Sequence, residues 1–578
     1  YPYKSKYSIN TKEVNGIITK YKIDGNKLTI NLKAKEKIII NYYIKKEEEK
    51  NYYINNLKLG DKLKIEGIFQ EPTNNTIFNL FNYKTYLYRN KIYFLISADK
   101  ITKISNNNSI FYFIKNKIVE RIENIDKTGY LKTFILGDKE DLDDNALKNY
   151  QSNGISHLFS ISGMHVSLII SIIMFFLNKV SYNLKFKHSI LNIVLLFYLF
   201  LTDISASILR TTIMTILSSI DKCYNLKIKK IDIMYLTIII AIIINPFIIY
   251  QVGFQFSYII SITLVLLNKK INRIKNTFIK NLYTSFICFL VSFPICIYYY
   301  QEINILSIIF NLIVIPIVSI IIFPLSLITF VFPIIYKLFE LSINVLEYIN
   351  MYLANIDIGV INFSKPLLII IFIYYLLIYF SLYKRKIFII LIIVIFFHKL
   401  YPYFDNNFKT IIFDVGQGDS IFVKIPNNKG NILIDTGGIM TYKKESWQIK
   451  EKEYLINENV QIPYLKSIGI TKLNYLILTH GDYDHMGEAI NLVENFKVEK
   501  VIFNCEEFNE LEYDLIKVLN KKKIPYYSCV KELNIDDNKL YFLNNKDYGN
   551  ENDNSSVIYT ELNKHKFLFM GDAGIEVE

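Results

Sequence analysis

From about residue 155 to residue 400 the chain is a succession of apolar runs, LIISIIMFFL, YLTIIIAIIINPFIIY and IVIPIVSIIIFPLSLITFVF among them. Several approach or exceed the roughly 20 apolar residues that carry a helix across a bilayer. Ten crossings are expected, near residues 157–177, 189–202, 204–220, 231–249, 252–267, 281–300, 303–332, 338–354, 367–382 and 387–400. A soluble protein would have to bury as many consecutive all-apolar helices, which argues for a polytopic membrane protein. The flanks read differently. Residues 9–104 hold short alternating runs (EVNGIITKYKI, KLTINLK, KEKIIINYYI, LGDKLKIEGIFQ), with Asp24-Gly25-Asn26 as a hairpin turn. Five or so short strands in a small barrel or sandwich are expected, and an OB-like barrel fits. Between Ile110 and Ile125, Ile110, Phe113, Ile114, Ile118, Ile122 and Ile125 recur at helical spacing beside lysines and glutamates, the pattern of an amphipathic helix on a membrane surface. Asp143 or Asp144 can then cap a short helix that Gly154 closes.

After Tyr401-Pro402 the composition turns soluble again. TIIFDVGQGDSIFVKI, NILIDTGG, NYLILTHGDYDHMGE, KVEKVIF and KHKFLFMGDAG give apolar strands that each end in glycine, aspartate or histidine. Polar groups at carboxyl ends of strands are the habit of layered α/β folds and would gather along one edge. The expected organisation is a β module (1–108), interfacial helices (109–155), a membrane domain (156–400) and a second soluble domain (408–578).

Charge gives the membrane domain a direction. Lys and Arg number sixteen in the connections after odd-numbered crossings and one, Lys365, after even-numbered ones. Basic loops favour the cytoplasm, so both soluble domains are expected outside. The net charge of +13 is partly this bias, and the abundance of Lys, Asn, Ile and Tyr reads as a compositional bias of the source. The five cysteines are scattered and form no CxxC pair. Several crossings are broken, at LTDIS, at Asn245-Pro246, and at Asn311, Pro316 and Pro324, which is tolerated where protein or a water-filled cavity surrounds the backbone. His165, Arg210, Gln255 and Asn311 are the candidate channel residues, with a structural role as the alternative for His165 and Arg210. In the β module, Tyr42, Tyr43, Tyr52 and Tyr53 with nearby lysines would allow single-strand binding, or serve packing alone.

In HGDYDH, His480, Asp482, Asp484 and His485 share a tight loop and can point at one or two divalent cations, with imidazole and carboxylate suiting zinc or manganese. Asp572, at the end of a later strand, could bridge two ions, and Asp435 in LIDTGG could orient a ligand or a water. An activated water attacking a phosphodiester is the chemistry such a site offers.

The order DVGQGDS, LIDTGG, THGDYDHMG, NDNSSVIYTELNKHKFLFMGDAG resembles the metallo-β-lactamase-like domain of the ComEC family, the DNA-uptake channel of natural transformation. LGDKEDLDDNALKNYQSNGISHLFSISGMHVSLI, LTDISASILRTTIM, NPFIIYQVGFQFSYIIS and QEINILSIIFNLIVIPIVSIIIFPLSLI resemble the successive signatures of that family's membrane domain, and GDKLKIEGIFQEPTNNTIFNLFNYKTYL resembles the end of its OB-like module. The resemblance implies that one DNA strand passes through the membrane, independent of sequence, while the other is degraded outside. It implies a DNA receptor at the outer face and a helicase inside. Carried over by position, His480, Asp482, Asp484, His485 and Asp572 are the metal ligands, with Asp482, Asp484 and His485 in catalysis; Asp414, Gln417, Asp419, Asp435, Asn554 and Ser555 support them. The opening YPYK and the closing GDAGIEVE, short of the family's HHGS-type segment, read as a fragment cut at both ends. Two further readings stay open: a membrane-anchored metallo-hydrolase of nucleotides or lipids, and a non-catalytic scaffold of an uptake machinery.

Overall fold

The computed structural model describes residues 4–107, 109–180, 183–356, 359–439, 444–544 and 548–577, so residues 1–3, 108, 181–182, 357–358, 440–443, 545–547 and 578 of the expected domains lie outside the described residues. Two compact units emerge, one of residues 1–72, 84–296 and 303–361, the other of residues 73–83, 297–302 and 362–578.

In the first unit, β1 (Glu13–Asp24), β2 (Lys27–Lys33), β3 (Lys37–Tyr43), β4 (Lys62–Gln70) and β5 (Ile92–Ser105) close into a barrel in the order β1-β2-β3-β5-β4. Only β3 and β5 pair in parallel, and helix Glu47–Asn56 lies between β3 and β4 in the chain, the OB-like arrangement. Alternate residues fill the interior because successive side chains point to opposite faces, so Ile18, Leu28, Ile30, Ile40, Leu63, Ile65 and Ile96 are fully buried. The expected hairpin turn pairs Asp24 with Lys27, and Gly25 takes the left-handed φ of 57° that a tight turn asks of glycine. Tyr42 and Tyr53 are buried against each other edge to face at 5.8 Å, whereas Tyr43 and Tyr52 are more than half exposed. Packing therefore takes two of the four tyrosines.

Helix Ile110–Ile125 forms over the expected residues, and part of its apolar face packs on the protein. Ile110 and Phe113 are exposed while Lys115 is buried, its ammonium 2.6 Å from Asp203. The ion pair draws Lys115 inward with Ile118, Ile122 and Ile125, which pack on the core. Asp143 caps helix Asp144–Ser152 by accepting from the Ala146 N–H at 2.9 Å.

Six helices among the described residues are long and apolar enough to cross a membrane: Gly163–Val180, Leu184–Leu201, Val252–Asn272, Thr277–Tyr299, Ser307–Val331 and Arg385–Phe404. Leu368–Ser381 is apolar but shorter. Three more of the expected crossings also fall on helices outside the set of six. Ala206–Tyr224 and Tyr336–Ala354 each carry three charged residues, and Lys230–Ile244 has 15 residues. The expected crossing at 303–332 is α-helical on either side of a π-helical stretch, Ile317–Ile322, between Pro316 and Pro324.

In the second unit a six-stranded sheet runs in the order Tyr526–Tyr527, Val501–Ile502, Tyr475–Ile477, Gly430–Ile434, Ile421–Ile425, Lys409–Ile412. The first four strands are parallel, so their carboxyl ends share one edge. Ile432 and Ile434 face a four-stranded antiparallel sheet (Glu532–Ile535, Asn538–Phe542, Ile558–Leu562, His565–Phe569), and Leu433 faces a core with Leu465, Leu492 and Leu515 from helices. The pleat thus assigns the two layers. Cys505 and Cys529 are not isolated but joined in a disulfide. They lie 24 residues apart in sequence, and only the parallel pairing of the strands before them brings their Cα atoms to 4.4 Å.

Lys424 is 1% exposed, and its ammonium is 2.6 Å from Asp405, which also meets Lys409 at 2.8 Å. Burial pushes the Asp405 carboxyl up, but the bonds to the two lysines outweigh it and hold the group well below the usual carboxylate range. A depressed carboxyl stabilises the fold above its unfolded pKa and loses that contribution as pH falls through the folded value. Asp405→Asn leaves a buried ammonium uncompensated and is expected to cost about 3 kcal/mol at neutral pH. Thermal unfolding of the full chain in detergent checks this, with the difference from wild type shrinking in strong acid.

Candidate metal centre

Two neighbouring strand ends on the shared edge, after Gly430–Ile434 and Tyr475–Ile477, supply most of the polar groups, and Asp572 follows strand His565–Phe569 of the antiparallel sheet. Asp435 follows strand Gly430–Ile434, takes a left-handed φ of 56°, and donates its N–H to the Ile477 carbonyl at 2.8 Å. Its carboxylate, 1% exposed, accepts from the Thr479 N–H and hydroxyl, both at 2.7 Å, and from His485 Nδ1 at 3.0 Å. Thr479 spends its one hydroxyl proton on Asp435, so toward His480 Nδ1, 3.1 Å away, it offers a lone pair. His480 accordingly carries its proton on Nδ1, also 3.1 Å from Ser555 Oγ, and leaves Nε2 bare. His485 likewise turns Nδ1 to Asp435.

The two Nε2 atoms are buried without a hydrogen-bond partner. With an Asp572 carboxylate oxygen they lie within 4.8 Å of one another, and Asp572 is 3.1 Å from His485 Nε2 without hydrogen-bond alignment. Two buried imidazole lone pairs facing a carboxylate, each ring fixed through its other nitrogen, fit a divalent cation. A cation held by His480, His485 and Asp572 would supply Lewis-acid activation of a phosphodiester and of the attacking water.

Electrostatics agree with a cation. Burial holds His480 below its ordinary pKa, and the charge of His485 adds to this, keeping it a neutral ligand. At His485 burial pulls down, but the hydrogen bond and charge of Asp435, then Asp572 and Asp484, push the imidazole up to about 9. A cation here therefore displaces a proton. Burial raises the Asp419 carboxyl; His485 partly offsets this, and Asp435, Asp572 and Asp484 add to it.

The remaining sequence candidates take distinct places. Asp482, at the start of the short helix Tyr483–Met486, is 3.7 Å from His480 Nε2, and Asp484 lies two residues on; neither is in the mutually close set. Asp414 and Gln417 are exposed on the DVGQGDS loop, whose Gly418 (φ 70°) is pressed against the Asp484 carbonyl so closely that a Cβ would stand 1.7 Å from it. Asn554 is buried, with its amide on Glu506 at 2.7 Å. Sequence reading missed Thr479, although it sits in the quoted THGDYDH, and it missed the clamp on Gly481. The Gly481 N–H donates to Glu551 at 2.7 Å and its carbonyl accepts from Asn509 at 2.9 Å. No local signal marks Glu551 or Asn509.

Of the channel candidates, His165 is 1% exposed, stacked on Phe323 at 4.3 Å, and accepts from the Ser162 N–H at 3.3 Å. Arg210 donates from Nε to Ser257 at 2.7 Å and pairs with no carboxylate among the described residues. Gln255 donates to the Ile249 carbonyl at 2.9 Å, and Asn311 Oδ1 is buried without a partner.

Residues 134–387 match the Competence protein family, and residues 413–578 match the metallo-beta-lactamase superfamily. Along 99% of its length the chain is 26% identical to ComE operon protein 3 of Bacillus subtilis, covering 78% of that protein. Over 39% of the chain it is 33% identical to the Uncharacterized protein MG316 of Mycoplasma genitalium, covering 57% of it. The chain belongs to the ComEC family of competence proteins, which join a Competence membrane domain to a domain of the metallo-beta-lactamase superfamily.

Proposed function

We propose that the protein takes up DNA across the cytoplasmic membrane during natural transformation, passing a single strand through the membrane domain while the second unit degrades the other strand outside with zinc or manganese, one or two ions. Membership of the family supports a role in DNA uptake. The observation that carries the hydrolytic half is the pair of buried, partnerless Nε2 atoms of His480 and His485 facing Asp572. Asp482 and Asp484 flank that set and would complete a second ion's shell.

The bias of Lys and Arg along the connections supports the outside location of both soluble domains, and a disulfide, which persists in oxidising compartments, supports it independently for the second. Helices too charged to face lipid, Ala206–Tyr224 with Arg210 among them, belong inside a bundle of about ten crossings. Buried polar atoms without protein partners, Ser162 Oγ, His165 Nε2, Thr212 Oγ1 and Asn311 Oδ1, suit a hydrated path there. A DNA receptor outside and a helicase inside would complete the machinery.

The test is uptake of end-labelled duplex DNA by a transformable host whose own uptake channel is deleted and replaced by this protein. Recovery of internalised single strands together with acid-soluble fragments outside is expected. Internalisation no greater than in the deletion overturns the transport reading, and uptake without fragments overturns the nuclease reading alone.

A further inference from the structure

The disulfide stands beside the metal centre, and its two flanking residues explain why. Asn504 and Glu506, on either side of Cys505, both grip Asn554: Asn504 Nδ2 donates to the Asn554 carbonyl at 3.3 Å, and Glu506 accepts from Asn554 Nδ2 at 2.7 Å. The next residue, Ser555, lies 3.1 Å from His480 Nδ1 and accepts from the Asp572 N–H at 3.3 Å. Ser556 continues the attachment, its N–H donating to the Thr479 carbonyl at 2.8 Å. One short segment thus sets the orientation of two of the three converging groups. Asn544 also holds the segment, its amide donating to the Asp553 and Ser555 carbonyls at 2.7 and 3.0 Å, but the anchor on the His480 side is the Asn504–Glu506 loop, which leaves the sheet after a strand of only two residues, Val501–Ile502, and is tied at Cys505 to Cys529. The Cys529 N–H adds one weak contact, to the Asn504 carbonyl at 3.4 Å.

We propose that the Cys505–Cys529 disulfide is the strut of the metal centre: it holds the Asn554–Ser555 segment against His480 and Asp572, so that cation affinity follows the oxidation state of this pair. Cys505, Cys529 and Asn554 are positioning residues, acting through Ser555. The strut rests on the cation reading of the site for its consequence, but not for its existence. A short two-residue strand end cannot by itself immobilise the loop, and an imidazole that loses its Nδ1 partner loses tautomer and direction together.

The test uses the full chain in detergent, oxidised or treated with a phosphine. The phosphine attacks one sulfur, water supplies the oxygen of the phosphine oxide, and the two electrons and two protons end on two free thiols. Alkylation mapping establishes the starting state, and hydrogen exchange at residues 550–556 reads the strut without any metal. Reduction is expected to speed exchange there and to weaken Mn²⁺ binding, followed by electron paramagnetic resonance, by roughly tenfold or more, the scale seen when partners of a metal-ligating histidine are lost. Asn554→Ala keeps the disulfide and is expected to lower Mn²⁺ affinity similarly, which covers the case in which Cys505→Ser/Cys529→Ser does not fold. Unchanged exchange at 550–556 after full reduction, or free thiols at both positions in freshly isolated protein, overturns the strut. Faster exchange with no Mn²⁺ bound in either state leaves the strut standing and overturns the cation reading instead.

Discussion

His480→Ala is expected to reduce degradation of DNA by the second unit by about two to four orders of magnitude, the scale on which several kcal/mol of Lewis-acid stabilisation acts, while uptake of single strands continues. The reason lies in the division of labour at the site. His480 gives the site one of its two buried, partnerless Nε2 atoms, and its Nδ1 is tied to Thr479 and Ser555. Alanine removes the ligand, whereas the fold keeps the Asp435 contacts to Thr479 and His485 that close the strand ends. Metal content measured on the same preparation separates causes: the variant should hold less Mn²⁺ or Zn²⁺ while still unfolding in one cooperative transition. Full degradation by a metal-depleted His480→Ala protein would remove the catalytic role assigned to the site.

Arg210→Ala is expected to do the opposite, lowering uptake of labelled DNA while leaving degradation intact. Arg210 is a guanidinium inside an apolar helix with no carboxylate partner among the described residues, held by Ser257 and lying 6.0 Å from the centre of the Tyr258 ring. Its side chain packs so near the start of helix Gly163–Val180 that a Cβ on Gly163 would stand 3.0 Å from a guanidinium nitrogen. An uncompensated cation beside the positive end of a helix favours an anion, and a strand of phosphates passing the site supplies one. Loss of one charge-assisted contact, about 1.5–3 kcal/mol, corresponds to a reduction of roughly 10- to 100-fold. Arg210→Lys, which keeps the charge without the fork, should recover part of the uptake. An anchor whose helices only tether a hydrolase predicts that Arg210→Ala changes nothing once protein levels are matched. A scaffold without chemistry predicts that His480→Ala changes nothing, so the two variants together separate all three readings.

The legible parts of the fold were those with a strong period. Alternation over KLTINLK and KIIINYY placed two barrel strands, and apolar runs of near twenty residues placed the membrane helices. Legibility failed for pairs distant in sequence: nothing local marks Lys115 as buried against Asp203. At the site, the spacing of HGDYDH drew attention to the right loop, but four acids and histidines in six residues look equivalent in one dimension. Three-dimensional placement separates them, bringing His480 and His485 together with Asp572 and leaving Asp482 and Asp484 beside the set.

The sequence by itself determined the architecture, an OB-like barrel, an apolar bundle and a layered α/β domain, because hydrophobic period and length are local properties that each segment carries alone. Tertiary structure decided the rest. The pairing of Cys505 with Cys529, the clamp of Glu551 and Asn509 on Gly481, and the grip of Asn504 and Glu506 on Asn554 depend on parallel strands placing chain ends side by side. Such contacts have no period, since each joins residues tens of positions apart, and only the folded sheet sets their distance.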